Sequence, residues 1–321
     1  MAVYTDVSAE ELGEFLKDYD LGPLLSFKGI AEGVENSNFL IETGRGRYIL
    51  TLYEKRVNRD DLPFFLGLMG HLADRGITCP LPVKGHDGQA LRMLAGRPAA
   101  IVTFLEGVSY RRPSATHCAA LGTVLAGLHE AGKGFGLSRG NALSINGWRP
   151  LAEQAGEGAD KVAVGLGQAI RNELADLEAH WPRTLPAGII HADLFPNNVL
   201  FVGDQLSGVI DFYFAANDAL AYDLAVCLNA WCFEADYSFN LTKGRAMIAA
   251  YRAKRPLNRV EIEALPILCR GAALRFLLTR LVDWLNVPPG ALVRPLDPME
   301  YWKKLRFHQG VETASAYGLM D

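Results

Sequence analysis

The sequence predicts an α+β chain of two lobes: a mostly antiparallel β-sheet lobe with one intervening helix, followed by a larger, mostly α-helical lobe. Three observations carry this. Strand-like runs rich in apolar and β-branched residues dominate the first third, at residues 24–30, 38–43 and 48–53. Long stretches with helical spacing of apolar residues fill the last third, at 222–231, 240–252, 259–285 and 298–316. Between them lies a compact β segment at 189–211 that carries Asp and Asn in its connections.

Taken in order, Ser8-Ala9-Glu10-Glu11 is a capping box, a hydroxyl cap followed three residues on by Glu. The helix it starts runs through Leu12, Phe15 and Leu16 and stops near Gly22. The strands at 38–43 and 48–53 are joined across Gly44-Arg45-Gly46, a short glycine-containing turn that reads as a hairpin. A helix follows at about 60–75, with Phe64, Leu68 and Leu72 on one stripe. Strands are expected again at 90–93 and 98–104. After Glu106-Gly107 the character changes. Residues 114–130 are helical, with Leu121, Val124, Leu125 and Leu128 on one face, and 161–180 form another helix. The boundary therefore falls between a first lobe of 1–106 and a second of 107–321, with a hinge about 103–107. No internal repeat or low-complexity tract interrupts either part.

Composition bounds the function. The chain of 321 residues has 50% hydrophobic and 21% charged residues, which is globular rather than disordered. A net charge of −4 lacks the basic surplus expected of a nucleic-acid binder. Cys79, Cys118, Cys227, Cys232 and Cys269 are odd in number, form no C-x-x-C pair and sit mostly among apolar neighbours, so they read as reduced core residues of a cytoplasmic protein. No signal peptide opens the sequence and no apolar run is long enough to span a bilayer, so no membrane partner is expected.

The chemistry is concentrated in Ile189-Ile190-His191-Ala192-Asp193-Leu194-Phe195-Pro196-Asn197-Asn198 and in Gly208-Val209-Ile210-Asp211-Phe212. Asp193 and Asn198 lie in a loop between apolar strand-like runs, and Asp211 ends a third such run. Phosphoryl transfer needs this set. One carboxylate must align the attacking hydroxyl and accept its proton, and oxygen ligands must hold the Mg²⁺ that bridges the nucleotide phosphates. Asp193 and Asn198 have the D-x-x-x-x-N spacing of kinase catalytic loops, and Asp211, thirteen residues on, stands where a metal-binding Asp-Phe element begins. Asp193 is thus the candidate catalytic carboxylate, and Asn198 and Asp211 the candidate metal ligands.

These residues resemble the aminoglycoside phosphotransferase and choline kinase superfamily, a branch of the protein-kinase-like fold. The resemblance also takes in Asp223-Leu224-Ala225 and the Leu125-Ala126-Gly127-Leu128-His129 helix. It implies ATP and Mg²⁺ as cofactors and assigns His191 to the catalytic loop, where we expect it to brace the backbone by hydrogen bonding rather than to move protons. Asp223 is expected to brace the same region. The run from Ile101 to Gly107 resembles the hinge of such kinases, whose backbone at Thr103 and Leu105 would bind adenine. The loop from Gly29 to Leu40 stands where a phosphate-covering loop belongs; it lacks a full G-x-G-x-x-G, but Gly33 and the backbone near Asn36 and Ser37 are candidate phosphate ligands. The sequence departs from the pattern at the third strand. Thr51 replaces the expected Lys or Arg, and the helix that should carry its Glu partner reads Pro63-Phe64-Phe65-Leu66. Lys55 or Arg56 are the candidates to restore the charge.

Composition and spacing leave the acceptor open. The resemblance goes further: residues 31–39, Thr51-Leu52-Tyr53-Glu54-Lys55-Arg56, 191–201 and 225–234 are similar to bacterial homoserine kinases of the aminoglycoside-phosphotransferase-like type. That implies L-homoserine as acceptor and O-phospho-L-homoserine, on the way to threonine, as product. A zwitterion needs an Arg for its carboxylate and an acid for its ammonium. Arg275 and Arg280, set in an apolar helix, are the candidate cations, although a structural ion pair with a Glu or Asp elsewhere is the favoured account of them. Glu234 and Asp236 are candidate ammonium partners, and Tyr213 and Trp231 candidate walls. The alternatives are a kinase for choline, methylthioribose, a sugar or an aminoglycoside, and a pseudokinase that binds nucleotide without turnover. Protein kinase activity is disfavoured, because Tyr213 rather than Gly follows Asp211-Phe212 and no A-P-E segment closes an activation loop.

Overall fold

The computed structural model describes residues 5–30, 36–54, 57–287 and 295–319. Helix α1 (Ala9–Leu16) begins as its sequence dictates: Ser8 Oγ accepts the Glu11 N–H at 3.1 Å, and the Glu11 carboxylate accepts the Ser8 N–H at 3.0 Å. The strands β1 (Leu24–Gly29), β2 (Ser37–Thr43), β3 (Gly46–Leu52), β4 (Leu91–Leu94) and β5 (Arg97–Thr103) form one sheet in the order β1-β2-β3-β5-β4, every pair antiparallel. Helix α2 (Leu62–Ala73) lies between β3 and β4 in sequence.

The pleat decides what each face does. On β5, Ala99 and Ile101 point to one core with Leu12, Phe15, Phe39 and Ile41, while Ala100 and Val102 point to the other with Phe65, Leu68 and Leu72 of α2. The sheet is thus covered by α1 on one side and α2 on the other. Each fully buried Leu or Phe contributes about 1.5–3 kcal/mol.

Beyond β5 the chain passes through Gly107, whose φ of +142° belongs to a region that suits glycine. A Cβ there would also lie 2.5 Å from Ser207 Oγ. Ser207 Oγ donates to Glu106 O at 2.7 Å, and Val108 and Phe201 exchange backbone hydrogen bonds at 2.9 Å. The linker is therefore clamped onto the second lobe's β segment.

That lobe contains α3 (Ala115–Ala131), α4 (Ile145–Ala155), α5 (Ala159–Val162), α6 (Leu166–His180), β6 (Ala187–Ile190), β7 (Val199–Val202), β8 (Gln205–Val209), β9 (Ala216–Ala219), α7 (Leu220–Trp231), α8 (Leu241–Lys254), α9 (Arg259–Leu285) and α10 (Met299–Gln309). Strands β6 and β9 pair, as do β7 and β8, both antiparallel. The helix expected at 161–180 is two helices, because Gly165 at φ +78° breaks it. The last expected helix, 298–316, stops at Gln309 before Gly310, and a short 3₁₀ turn follows at Ala314–Tyr317. Helix α4 escapes sequence reading because Pro150 interrupts it and only Trp148 and Ala155 are buried. Strand β9 has no β-forming composition; its pairing, Ala216 opposite Ile190, is imposed by the tertiary structure. All five cysteines are buried thiols. Among the described residues no helix is long and apolar enough to cross a membrane.

Candidate active site

Strand β6 runs into the loop that carries Asp193. Its first corner is Ala192, at φ +63°, which costs about 1 kcal/mol for a non-glycine residue. Asp223, fully buried in the first turn of α7, offsets that cost. Its Oδ2 accepts the His191 N–H at 2.7 Å and its Oδ1 accepts the Ala192 N–H at 2.8 Å. His129 Nε2 donates to the same carboxylate at 3.2 Å. Burial alone would push the Asp223 carboxyl up, but the bonds from His129 and His191 outweigh it and hold the group below the usual carboxylate range. Behind it, His129 Nδ1 meets the Tyr251 hydroxyl at 2.7 Å, Arg255 donates to that hydroxyl at 2.9 Å, and Arg255 also pairs with Glu261 at 2.8 Å. Trp231 fixes the next turn by donating its indole N–H to Leu194 O at 2.7 Å.

Ile210 joins this loop to Asp211. Its N–H donates to Asn198 O at 3.0 Å and its C=O accepts from His191 Nε2 at 3.0 Å. Burial lowers the His191 imidazole to about 4, so the ring is neutral at pH 7 and acts as a brace. Asn198, also buried, donates its amide N–H to Asp193 O at 2.7 Å and to Asp193 Oδ2 at 3.2 Å. The side chains of Asp193 and Asn198 are thereby in contact, and Asp211 follows the residue hydrogen-bonded to both ends of the loop.

The two carboxylates differ in setting. The Asp193 side chain is 18% exposed, and burial pushes its carboxyl up to about 6 against the opposing pull of the Arg275 guanidinium and the Asn198 amide. Asp211 is exposed, in the left-handed region at φ +67°. Among the described residues no group of three or more His, Cys, Asp or Glu forms a ready-made metal cage. Mg²⁺ is commonly held by one or two carboxylates together with substrate phosphates. Asp211 and the amide oxygen of Asn198, whose N–H side is spent on Asp193, are hard oxygen donors that fit such an ion.

The remaining candidates fall as follows. Gly33, Lys55 and Arg56 lie outside the described residues. Asn36 and Ser37 are buried and turned to Glu54: Asn36 Oδ1 accepts the Glu54 N–H at 3.3 Å, and Ser37 Oγ donates to Glu54 Oε1 at 2.8 Å. Thr103 ends β5 with its N–H and its hydroxyl both engaged by Leu81, at 2.9 Å each. The Leu105 side chain packs towards Gly208 of β8. Thr51 is buried and donates to Asn38 Oδ1 at 2.8 Å. Nearby, Tyr53 and Tyr213 meet edge to face at 5.5 Å, and Phe65 meets Tyr213 at 5.7 Å.

Arg275 is 1% exposed; it donates to Ala192 O and comes within 3.9 Å of Asp193 Oδ1. It therefore reaches the loop that carries Asp193. Arg280 pairs with Glu300 at 2.7 Å, the structural alternative. Glu234 is taken by Lys243 and Asn240, each at 2.7 Å, and Asp236 caps its own turn through Ser238.

Sequence reasoning missed a cavity of about 250 Å³ lined by Asp61, Phe65, Arg139, Asn141, Tyr213 and Phe214, among others. Its only signal was the polar run Ser138-Arg139-Gly140-Asn141 in a segment without periodicity.

The chain is similar to known proteins in sequence and in fold. The sequence pattern of the phosphotransferase enzyme family matches residues 26–257. The homoserine kinase of Afipia carboxidovorans is 68% identical, over 99% of this chain and 98% of that one. The homoserine kinase of Xanthobacter autotrophicus is 67% identical over 99% of both, and that of Bradyrhizobium diazoefficiens 65% identical over 100% and 98%. Among solved structures, an amicoumacin kinase in complex with AMP-PNP, Ca²⁺ and Ami superposes with a TM-score of 0.69 at 15% identity, covering 96% of this chain and 93% of that one. A spectinomycin phosphotransferase in complex with ADP and spectinomycin gives 0.67 at 14% identity, covering 97% and 98%. These two share the fold. The chain belongs to the phosphotransferase enzyme family and, within it, to the homoserine kinases.

Proposed function

We propose that the chain transfers the γ-phosphoryl group of ATP to the side-chain hydroxyl of L-homoserine, with residues 1–106 as the nucleotide lobe and 107–321 as the catalytic lobe. Asp193 aligns the hydroxyl and accepts its proton as the new O–P bond forms and the bond from Pγ to the ADP oxygen breaks. Burial suits Asp193 to this task, since a carboxylate raised to about 6 is a stronger base than an ordinary Asp yet still ionised at pH 7. Asn198 and Asp211 would hold Mg²⁺, which offsets the phosphate charge when bound. His191 and Asp223 keep the loop in place, and Arg275 supports it from the protein side. The hinge at Thr103 and Leu105 is the adenine end.

The observation that carries this reading is the double hold on Ile210, which ties the Asp193–Asn198 loop to Asp211. The full-length likeness to homoserine kinases supplies the acceptor. Mg²⁺-ATP is tested against L-homoserine, choline, methylthioribose, L-serine and an aminoglycoside by ADP release, with Asp193→Ala as control. Turnover that depends on L-homoserine and disappears in the variant is the expected result. Turnover with another alcohol would replace the acceptor, and nucleotide binding without any turnover would favour a pseudokinase.

A further inference from the structure

Helix α2 begins with an acid that does not cap it. Asp61 stands at the N-cap, where Asp commonly accepts N–H groups of the first turn, yet its side chain makes no cap hydrogen bond. Its Oδ2 accepts instead from Arg139 Nε at 2.7 Å. Arg139 lies in the segment between α3 and α4, so the pair crosses from the β-sheet lobe to the helical lobe. The Arg139 and Asp61 side chains are 21% and 26% exposed, which limits screening by solvent ions. Helix α2 itself contains no acidic residue, so the acid that ties it down is the one at its cap.

The same guanidinium reaches the segment that follows Asp211. Arg139 Nη1 donates to Ala215 O at 3.1 Å. The Ala215 N–H donates to Phe212 O at 2.9 Å and closes the 3₁₀ turn Phe212–Phe214, which begins directly after Asp211. The Arg139 backbone is fixed beside that turn as well. Its N–H donates to Asn217 Oδ1 at 2.9 Å, and its C=O accepts the Asn217 N–H at 2.6 Å. One guanidinium therefore joins the start of α2 to the turn that carries the chain away from Asp211.

Ring contacts follow the same route. The guanidinium lies over the Phe65 ring at 5.1 Å, Phe65 meets Tyr213 at 5.7 Å, and Tyr213 meets Tyr53, the residue after β3, at 5.5 Å. Further along α2, Phe64 meets Phe135 at 5.4 Å and His71 Nε2 donates to Ala131 O at 3.0 Å. Apolar packing is non-directional and holds the lobes together without fixing their register. A guanidinium that donates to a carboxylate on one lobe and to a carbonyl on the other adds that direction.

We propose that Arg139 is a positioning residue, which holds the start of α2 in register with Asp211 so that nucleotide phosphates carried by the β-sheet lobe meet the metal-binding carboxylate. The proposal rests on the reading that ATP is the donor, with its adenine at the hinge and its Mg²⁺ at Asp211. Arg139 acts through Asp61 and Ala215 rather than by touching a substrate.

The test is calorimetric and compares two ligands. A non-hydrolysable ATP analogue with Mg²⁺ draws on both the hinge and Asp211, whereas adenosine draws on the hinge alone. Arg139→Met keeps an unbranched apolar stem and removes both hydrogen bonds. It is expected to weaken binding of the analogue about 5- to 10-fold, the lower range of coupling between sites, and to leave adenosine within about 2-fold. In turnover the KM for ATP should rise, with the KM for L-homoserine within about 2-fold. Arg139→Lys should recover part of the loss. Asp61→Ala should act in the same direction and cost little more when added to Arg139→Met, because two residues that work through one contact are not additive. A loss on adenosine as large as that on the analogue, which a generally loosened protein would show, overturns the proposal. So does no loss on either ligand, or full additivity of the two substitutions. A wild-type protein whose affinity for the analogue does not depend on Mg²⁺ overturns the reading of Asp211 and the proposal with it. A Mg²⁺-dependent wild type matched by Arg139→Met overturns the proposal alone. Should Arg139→Met not fold, Asp61→Ala, which leaves Arg139 on Ala215, decides the case with the same two ligands.

Discussion

Asp223 stands directly behind His191, its Oδ2 accepting the His191 N–H at 2.7 Å. With Oδ1 on the next amide, that of Ala192, one buried carboxylate fixes the entry to the catalytic loop.

Asp223→Ala should therefore lower the unfolding free energy by about 3 kcal/mol or more, because two buried amides and the His129 ring each lose their acceptor, at about 1–3 kcal/mol apiece. Urea denaturation measures the loss, and a change below about 1 kcal/mol would mean that the loop is held by something else. Asp223→Asn retains one acceptor oxygen and should fall between the wild type and Asp223→Ala.

The Asp193 carboxyl gives a pH signature. With its pKa raised to about 6, kcat/KM should fall roughly tenfold per unit as the pH drops below about 6, because the protonated acid cannot take the hydroxyl proton. Asp193→Asn should remove that acidic limb and lower turnover about 10²- to 10⁴-fold, with ATP still bound. The same shift has a sign in stability. The folded state binds this proton more tightly than the unfolded chain does, so Asp193 weakens the fold above about pH 6 and that penalty is relieved as the pH falls towards 4. A rate profile flat between pH 5 and 7 would remove Asp193 from the role of base.

Asp211→Asn tests the metal assignment. Replacing the carboxylate by an amide weakens the attraction for a divalent cation, so the Mg²⁺ concentration for half-maximal rate should rise about tenfold or more. Steady-state ADP release across a Mg²⁺ series reads this directly, and an unmoved midpoint would place the ion elsewhere.

Thr51 tests the departure at the third strand. It is buried, bonded to Asn38 and close to Tyr213, which packs with Tyr53 and Phe65. Thr51→Lys would bury an ammonium among these aromatic rings, and should lower the melting temperature by several degrees without tightening ATP binding. A gain in ATP affinity would show that the site accommodates a phosphate-binding lysine.

The legible parts were those fixed by local chemistry. The Ser8 capping box gave α1, and runs of apolar and β-branched residues gave β2 and β5. Asp193 and Asn198 could be paired from spacing because the loop between them is short, and their side chains do touch. Other features depend on contacts between distant segments. The Arg139–Asp61 pair spans 78 residues, and nothing near either residue announces the other. Arg275 was visible as a cation in an apolar helix, but its destination, the Ala192 carbonyl 83 residues away, was not. Strand β9 was invisible for the same reason, since Ala216–Ala219 becomes a strand only beside β6.

The chain of contacts from Asp223 through His129, Tyr251 and Arg255 to Glu261 ties the loop that carries Asp193 to helices α7, α3, α8 and α9. None of these five residues lines the cavity at Tyr213. The hold on the loop and the lining of that cavity are thus made by different side chains.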